Sequence, residues 1–170
     1  MLFLKLLQNL IKALNSEGTP GQVAAGIALG AVFGLTPLIN LHNLLLFGAA
    51  MVLNVSFPGV MLGWIVFVPA GFALDPVFDT VGRAVLTAPA LEGLWTTWHN
   101  TPVLALTNFN NTIVMGSLLV WLAGFVPIFF LARWLVSRYR ATIYVRLQAT
   151  PAFRAVKASK LYNFYELLRP

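Results

Sequence analysis

Long stretches without a charged side chain dominate the sequence. No Asp, Glu, Lys or Arg occurs between Gly18 and Leu74, and none occurs between Gly93 and Ala132. A charge at the centre of a bilayer costs about 2.5–3.5 kcal/mol, so uncharged stretches of this length are typical of membrane-embedded helices. The pattern predicts an all-α integral membrane protein, with residues 1–170 forming a single membrane domain.

The first segment, residues 1–17, has apolar and polar residues on opposite faces of a helix. Lys5 and Lys12 lie on the polar face, and leucines dominate the other. This spacing predicts an amphipathic helix that lies in the membrane interface with its lysines among the lipid headgroups. Packing of the apolar face against a partner protein is the alternative.

Residues 19–53 form the second predicted unit, a glycine-rich helical hairpin broken by proline. Thr19, Pro20 and Gln22 have the spacing of a capping box at a helix start. Residues 20–53 would be about 51 Å long as one helix, whereas a bilayer core is about 30 Å thick, so we expect a break at Pro37. The halves form either two short spans or a re-entrant hairpin. The polar group Asn40, His42 and Asn43 at the turn favours the re-entrant form.

The first half of this hairpin has glycines at four-residue spacing, at Gly26, Gly30 and Gly34. Glycines stacked on one helical face allow a second helix to approach closely. We expect this face to pack within the protein, and an intermolecular contact is the alternative.

Two full transmembrane helices are predicted after the hairpin, over residues 57–74 and 113–136. Residues 75–112 between them are more polar and include a run of Asn and Thr suited to a helix cap. We expect this segment to be periplasmic or interfacial. Residues 137–170 then form a basic, helical, cytoplasmic tail.

The distribution of charge predicts on which side of the membrane the two termini lie. The net charge is +6, although only 9% of the residues are charged and 59% are hydrophobic. Basic residues are favoured on the cytoplasmic side, so both termini are expected there, in a multi-pass protein. With this hydrophobicity the expected partner is an anionic phospholipid surface rather than nucleic acid. The side chains expected to contact headgroups are Lys5, Lys12, Arg133, Arg138 and Arg140.

Few side chains are candidates for catalysis or for binding a substrate. His42 is an ionisable group in an apolar stretch, which suggests proton or substrate binding, and a structural hydrogen bond is the alternative. Asp75 and Asp79 could act as paired carboxylates, although Arg83 lies one turn away and favours an ion pair. The sequence has no cysteine and no recognisable catalytic, metal or cofactor motif. It therefore predicts a protein that is not an enzyme and has no metal or cofactor.

Several short motifs together resemble a known family. They include the residues 13–20 ALNSEGTP, 34–38 GLTPL, 41–45 LHNLL, 74–76 LDP, 86–91 LTAPAL and 109–112 FNNT. On these motifs the chain is similar to a short subfamily of the domain of unknown function 2062 family of bacterial membrane proteins. The resemblance covers nearly the whole chain.

The resemblance implies a cellular location and a partner, but no catalytic mechanism. It implies a bacterium with an outer membrane, and often a neighbouring gene for a much larger envelope protein of the lipid-bridging type. The chain would then be a non-enzymatic inner-membrane subunit that anchors the envelope protein and passes phospholipid into or out of it. The alternative is a small homo-oligomeric transporter or channel, and a membrane enzyme is a weaker third hypothesis. The candidate functional residues are Gly26, Gly30, Gly34, Pro37, Asn40, His42, Asn43, Asp75 and Asp79.

Overall fold

The computed structural model describes residues 18–144, and its regular elements are all helical. The α-helices are α1 (Pro20–Leu35), α2 (Leu41–Val52), α3 (Phe57–Leu86), α4 (Glu92–His99), α5 (Pro102–Ala105) and α6 (Thr112–Arg138). A 3₁₀ turn (Pro89–Leu91) precedes α4, and a π-helical segment (Tyr139–Tyr144) follows α6. The predicted all-α class is confirmed for this part of the chain. The predicted interfacial helix 1–17, with Lys5 and Lys12, lies outside the described residues, as does most of the basic tail.

Helix α1 begins and ends where the local sequence predicts. The Thr19 hydroxyl accepts a hydrogen bond from the Gln22 backbone N–H (3.2 Å), and the Gln22 side chain accepts one from the Thr19 N–H (2.7 Å). At the other end Thr36 is extended, with φ −104° and ψ 152°. A residue before proline is disfavoured in the helical region, so Pro37 ends the helix at Leu35.

The two halves of the predicted hairpin are not each other's main partners. Helix α1 packs chiefly against α3 and α6, whereas α2 diverges from it and buries only Asn43 and Ala50. The chain nevertheless returns to the level at which α1 begins, because Gln22 Nε2 donates to Asn54 Oδ1 (2.7 Å). The two helices of the predicted broken hairpin are present, and they pack little on each other because the glycine face of α1 is occupied by α3.

Helix α3 continues beyond the predicted boundary at Leu74 and ends only at Leu86. Asp75 and Pro76 suggested an end there, but both lie inside the helix. A proline in a helix removes one backbone hydrogen bond, and neighbouring helices or hydroxyl groups can compensate in apolar surroundings. Pro76 has no N–H for the Phe72 carbonyl, and the helix nevertheless continues for ten more residues. The part of the predicted segment 75–112 that lies outside the two long helices is therefore confined to residues 87–111.

Two helical stretches are long and apolar enough to cross a membrane, Phe57–Leu86 and Thr112–Thr142. They run antiparallel and touch where Gly82 lies against Thr112 and Gly116 lies against Phe78. Asn111 caps the second stretch by accepting hydrogen bonds from the Ile113 and Val114 N–H groups (2.9 and 3.2 Å).

Helix α1 lies between these two long helices along part of their length. It runs parallel to α3, with Gly26 at Gly59 and Gly34 at Val68, and antiparallel to α6. The Trp121 indole N–H donates to the Ala28 carbonyl (2.8 Å), which fixes α1 against α6.

The ends of α1 define two landmarks. Its N-terminal end lies beside the end of α6, where Arg140 donates to the Gly18 carbonyl (2.7 Å), and we call this region, with Arg133, Arg138 and Arg140, the basic end. Its C-terminal end packs against Gly71, the midpoint of the 30-residue helix α3. The loop after it, residues 36–40, is called the half-length turn, because the chain reverses there about halfway along α3.

Candidate functional site

A buried hydrogen-bond network holds the half-length turn. The Thr36 hydroxyl donates to the Val32 carbonyl (2.9 Å), and the Asn43 amide nitrogen donates to the Thr36 hydroxyl (2.8 Å) and the Pro37 carbonyl (2.9 Å). Thr36 and Asn43 are both buried. Because an extended segment leaves backbone carbonyls without helical partners, a side-chain amide that reaches several of them stabilises the turn.

Two other polar groups at the turn have unused hydrogen-bonding capacity. The Asn40 amide nitrogen donates to the Pro37 carbonyl (2.6 Å), but its Oδ1 is buried with no hydrogen-bond partner among residues 18–144. The same is true of His42 Nε2, while the His42 ring makes a hydrogen bond to the Thr107 backbone. Buried polar atoms in native structures are nearly always paired, so these two atoms are candidates for contact with a ligand or a partner.

A groove of about 770 Å³ opens beside Asn40 and Asn43, whereas His42 does not line it. Asn40, Asn43 and Asn108 supply its amide groups, and the remaining lining is aliphatic and aromatic. A mostly apolar groove with a few polar groups at one place is typical of a small-molecule or lipid site. We call it the turn groove; its apolar lining consists of Phe33, Leu38, Ile39, Leu41, Leu44, Phe47, Trp64 and Leu106.

The segment after α5 covers the start of α2 and completes this site. The Leu41 N–H donates to the Leu106 carbonyl (3.2 Å), and the Asn108 side chain donates to the Ile39 carbonyl (3.3 Å). Asn108 has a φ of 54°, in the left-handed region that asparagine tolerates better than most residues. Phe109 anchors the segment by stacking on Trp95, with ring centroids 5.9 Å apart.

The predicted site residues therefore separate into two groups. Pro37, Asn40, His42 and Asn43 are gathered at the half-length turn, whereas Gly26, Gly30 and Gly34 lie on the α3 side of α1. A Cβ at Gly30 would overlap the Val60 carbonyl, and one at Gly34 would lie 2.7 Å from the Trp64 carbonyl oxygen. These glycines pack the protein itself together and do not line the turn groove.

The sequence repeats the four-residue glycine spacing at Gly59 and Gly63 on α3, but sequence reasoning did not extend it to Gly71 and Gly82. These follow Gly63 after eight and then eleven residues. Each step is close to a whole number of helical turns, which was the available signal. The steps add up to a rotation, so that Gly71 still faces α1 whereas Gly82 faces α6. Gly116 on α6 is equally close to its neighbour and faces Phe78. Thr36 was read only as the residue before proline, although its hydroxyl is central to the buried network.

The acidic pair lies apart from the turn groove. Asp79 forms an ion pair with Arg83 (2.8 Å) and accepts a short hydrogen bond from the Thr112 hydroxyl. Asp75, one helical turn earlier, takes part in neither interaction. The Asp79 carboxylate thus joins α3 to the first residue of α6, as the alternative ion-pair interpretation expected. No group of three or more metal-ligating side chains occurs among residues 18–144.

Comparisons with known proteins agree with the resemblance seen in the sequence. The model of the family described as uncharacterized proteins conserved in bacteria (DUF2062) matches residues 5–143. An uncharacterized protein of Treponema pallidum (strain Nichols) is 25% identical over 158 residues, which are 93% of this chain and 98% of that protein. No solved structure matches the chain.

Proposed function

The chain belongs to the DUF2062 family, and from its half-length turn we propose that it is a non-enzymatic subunit of a bacterial inner membrane. In this proposal it anchors a larger envelope protein, and phospholipid enters or leaves the bilayer at the turn groove. The observation that carries the proposal is a polar turn and an apolar groove about halfway along α3, one of two helices of membrane-spanning length.

Membrane placement is supported by the outer surface of the described helices. Large apolar side chains are strongly exposed there, including Phe72 (77%), Val52 (88%) and Leu122 (63%). Water would be a poor solvent for such a surface, whereas lipid tails would cover it without cost. The three arginines of the basic end support an orientation with that end in the cytoplasm.

The midpoint position of the turn supports the re-entrant form of residues 20–53. Helix α1 has 16 residues and α3 has 30, which correspond to about 24 Å and 45 Å. A chain that enters from the basic end would therefore reverse inside the bilayer. Polar groups at that depth are costly unless they are paired or serve a function. Asn40 and His42 supply such groups, and the turn groove supplies apolar space beside them.

Single-cysteine labelling tests this placement, because the natural chain has no cysteine. An impermeant maleimide should fail to label Ile39→Cys from either side of the membrane, although Ile39 is 93% exposed in the protein itself. Ser137→Cys, a nearly isosteric change at an exposed residue of the basic end, is the control and should react from the cytoplasmic side. Labelling of Ile39→Cys from the periplasm would instead establish two short spans.

The role in an envelope complex is tested by gentle extraction of the full-length protein from native membranes. Mass spectrometry of the co-purifying proteins and lipids should find one large envelope protein in fixed ratio, together with phospholipid. Replacement of Asn40 and His42 by alanine should reduce the retained phospholipid while leaving the protein partner. Absence of the partner, with unchanged envelope lipids after deletion of the gene, would contradict the proposal.

A homo-oligomeric transporter or channel is the second candidate. It is favoured by His42 Nε2, which has no hydrogen-bond partner within the described part of the chain. A neutral or charged imidazole in apolar surroundings can relay a proton or bind a polar substrate. This candidate requires flux through liposomes that contain only this protein. It also requires loss of that flux in His42→Ala.

A further inference from the structure

A second groove, separate from the turn groove, lies between α3 and α6 in the half of the molecule that includes the basic end. Its volume is about 680 Å³, within the range of about 300–1,000 Å³ that is common for ligand pockets. Aliphatic side chains from three helices line most of it, among them Ile27, Leu62, Val66, Ile128, Leu131 and Leu135. We call it the α3–α6 groove.

The helix arrangement explains why this groove is not filled by the protein. At the far end α3 and α6 are in backbone contact, through Gly82 and Gly116. Toward the basic end α1 lies between them and contributes Ile27 to the groove lining. The thickness of α1 therefore keeps the two long helices apart and leaves the apolar α3–α6 groove between them.

Polar chemistry is found at one end of the α3–α6 groove. Arg138, Tyr139 and Thr142 line it at the basic end, and residues 18–144 contribute no carboxylate to its lining. Arg138 is exposed, and its guanidinium lies 6.0 Å from the centre of the Trp134 ring, which orients the side chain by a cation–π contact. A positive group at the mouth of an apolar channel is complementary to an amphipathic anion.

The length of the α3–α6 groove matches one leaflet of a bilayer. Ile128 and Arg138 are ten residues apart on one helix, which corresponds to about 15 Å. The hydrocarbon core of a bilayer is about 30 Å thick, so one leaflet is also about 15 Å. A phospholipid whose tail fills the α3–α6 groove would therefore have its phosphate at the level of Arg138.

We propose that the α3–α6 groove binds one acyl chain of a phospholipid and that Arg138 binds its phosphate. A guanidinium donates two parallel hydrogen bonds to phosphate oxygens, and such charge-assisted bonds are among the stronger ones in proteins. The inference rests on the membrane placement in the proposed function, but it requires neither the envelope partner nor lipid transfer. The bound lipid would be a structural or regulatory ligand on the cytoplasmic side.

Native mass spectrometry of the full-length protein in mild detergent tests the proposal with two lipids. Phosphatidylglycerol carries the phosphate, and diacylglycerol with the same tails lacks it. The measurement uses the variant with Asn40 and His42 replaced by alanine, which removes the polar groups of the half-length turn. In it we expect one phosphatidylglycerol per chain to be retained in preference to diacylglycerol. Arg138→Ala should lower phosphatidylglycerol retention roughly tenfold or more and remove the preference. Leu131→Trp, which fills the groove, should lower retention of both lipids.

Two matched variants serve as controls. Arg133→Ala removes a neighbouring exposed arginine that does not line the groove, and Leu122→Trp enlarges a leucine of similar exposure (63% against 58% for Leu131) elsewhere on α6. Both should retain phosphatidylglycerol like the natural protein. Equal retention by all variants, or equal losses in the controls, would overturn the proposal. Retention that Leu131→Trp abolishes and Arg138→Ala leaves unchanged would overturn the assignment of Arg138.

Discussion

The interface between α1 and α3 and the half-length turn that follows it are both buried, but they are stabilised in different ways. At the interface the backbones touch through glycines, so no side chain can be added without separating the helices. At the turn the backbone is held by side chains, because the Asn43 amide bonds to Thr36 and Pro37. The interface depends on the absence of side chains at its glycines, whereas the turn depends on particular polar atoms. Any larger side chain at the interface should therefore destabilise the protein, and so should any loss of hydrogen bonding at the turn.

The largest effect is expected when a single methyl group is added at the interface. In Gly30→Ala the new Cβ would overlap the Val60 carbonyl, so the two helices must separate and the variant should lose about 3 kcal/mol of stability. The same substitution at Gly48 on α2 meets nothing within 4 Å. Because alanine favours helices over glycine by about 1 kcal/mol, Gly48→Ala should be neutral or stabilising.

Thermal unfolding of the full-length protein in one detergent, followed by circular dichroism, measures both variants. Opposite signs for Gly30→Ala and Gly48→Ala would establish that close backbone contact, and not helix propensity, sets the stability of this interface. A loss of similar size in the two variants would contradict it.

The second-largest loss of stability is expected when the hydrogen-bond network at the half-length turn is broken. Asn43→Leu removes an amide of similar size and leaves the Thr36 hydroxyl and the Pro37 carbonyl without that partner, at a cost of about 1–3 kcal/mol. Thr36→Val removes the other member of the pair. Since both residues belong to one network, the double variant should be less destabilised than the sum of the two single variants.

A double-mutant cycle of unfolding free energies checks this expectation. Additive losses would show that Thr36 and Asn43 stabilise the fold independently. Asn40→Leu is a useful comparison, because it removes the hydrogen bond to the Pro37 carbonyl together with an Oδ1 that has no partner in the described part of the chain. It should cost less than Asn43→Leu if the spare capacity of Asn40 is kept for a ligand.

The local features of this fold were predictable from the sequence, and the partners of each helix were not. The capping box at Thr19 and the break before Pro37 depend on a few adjacent residues, and both are present. The glycine spacing in α1 predicted a close contact but could not identify α3 as the helix in contact. The extension of α3 through Pro76 was missed, because the tolerance of a helix for proline depends on its surroundings.

The candidate site illustrates the same limit. Asn40, His42 and Asn43 were recognisable as polar residues in an apolar stretch. Their midpoint position was not, since it depends on where Gly34 meets Gly71 across two helices. The cover over the turn comes from Leu106 and Asn108, more than sixty residues later in the chain. Contacts of that separation leave no periodic signal in a single sequence.

The smallest effect is expected for Pro37→Ala, and it separates two explanations of the turn. Proline sets the end of α1 through its ring, whereas Asn43 holds the turn through the carbonyls of residues 37 and 38. Alanine retains those carbonyls, and the side chain of Pro37 is exposed. If the amide network holds the turn, Pro37→Ala should cost less than about 1 kcal/mol, mainly through the greater freedom of the unfolded chain. The unfolding midpoint of Pro37→Ala, measured beside that of Asn43→Leu, decides the matter. A larger loss for the proline variant would mean that the ring, and not the hydrogen-bond network, makes the chain reverse halfway along α3.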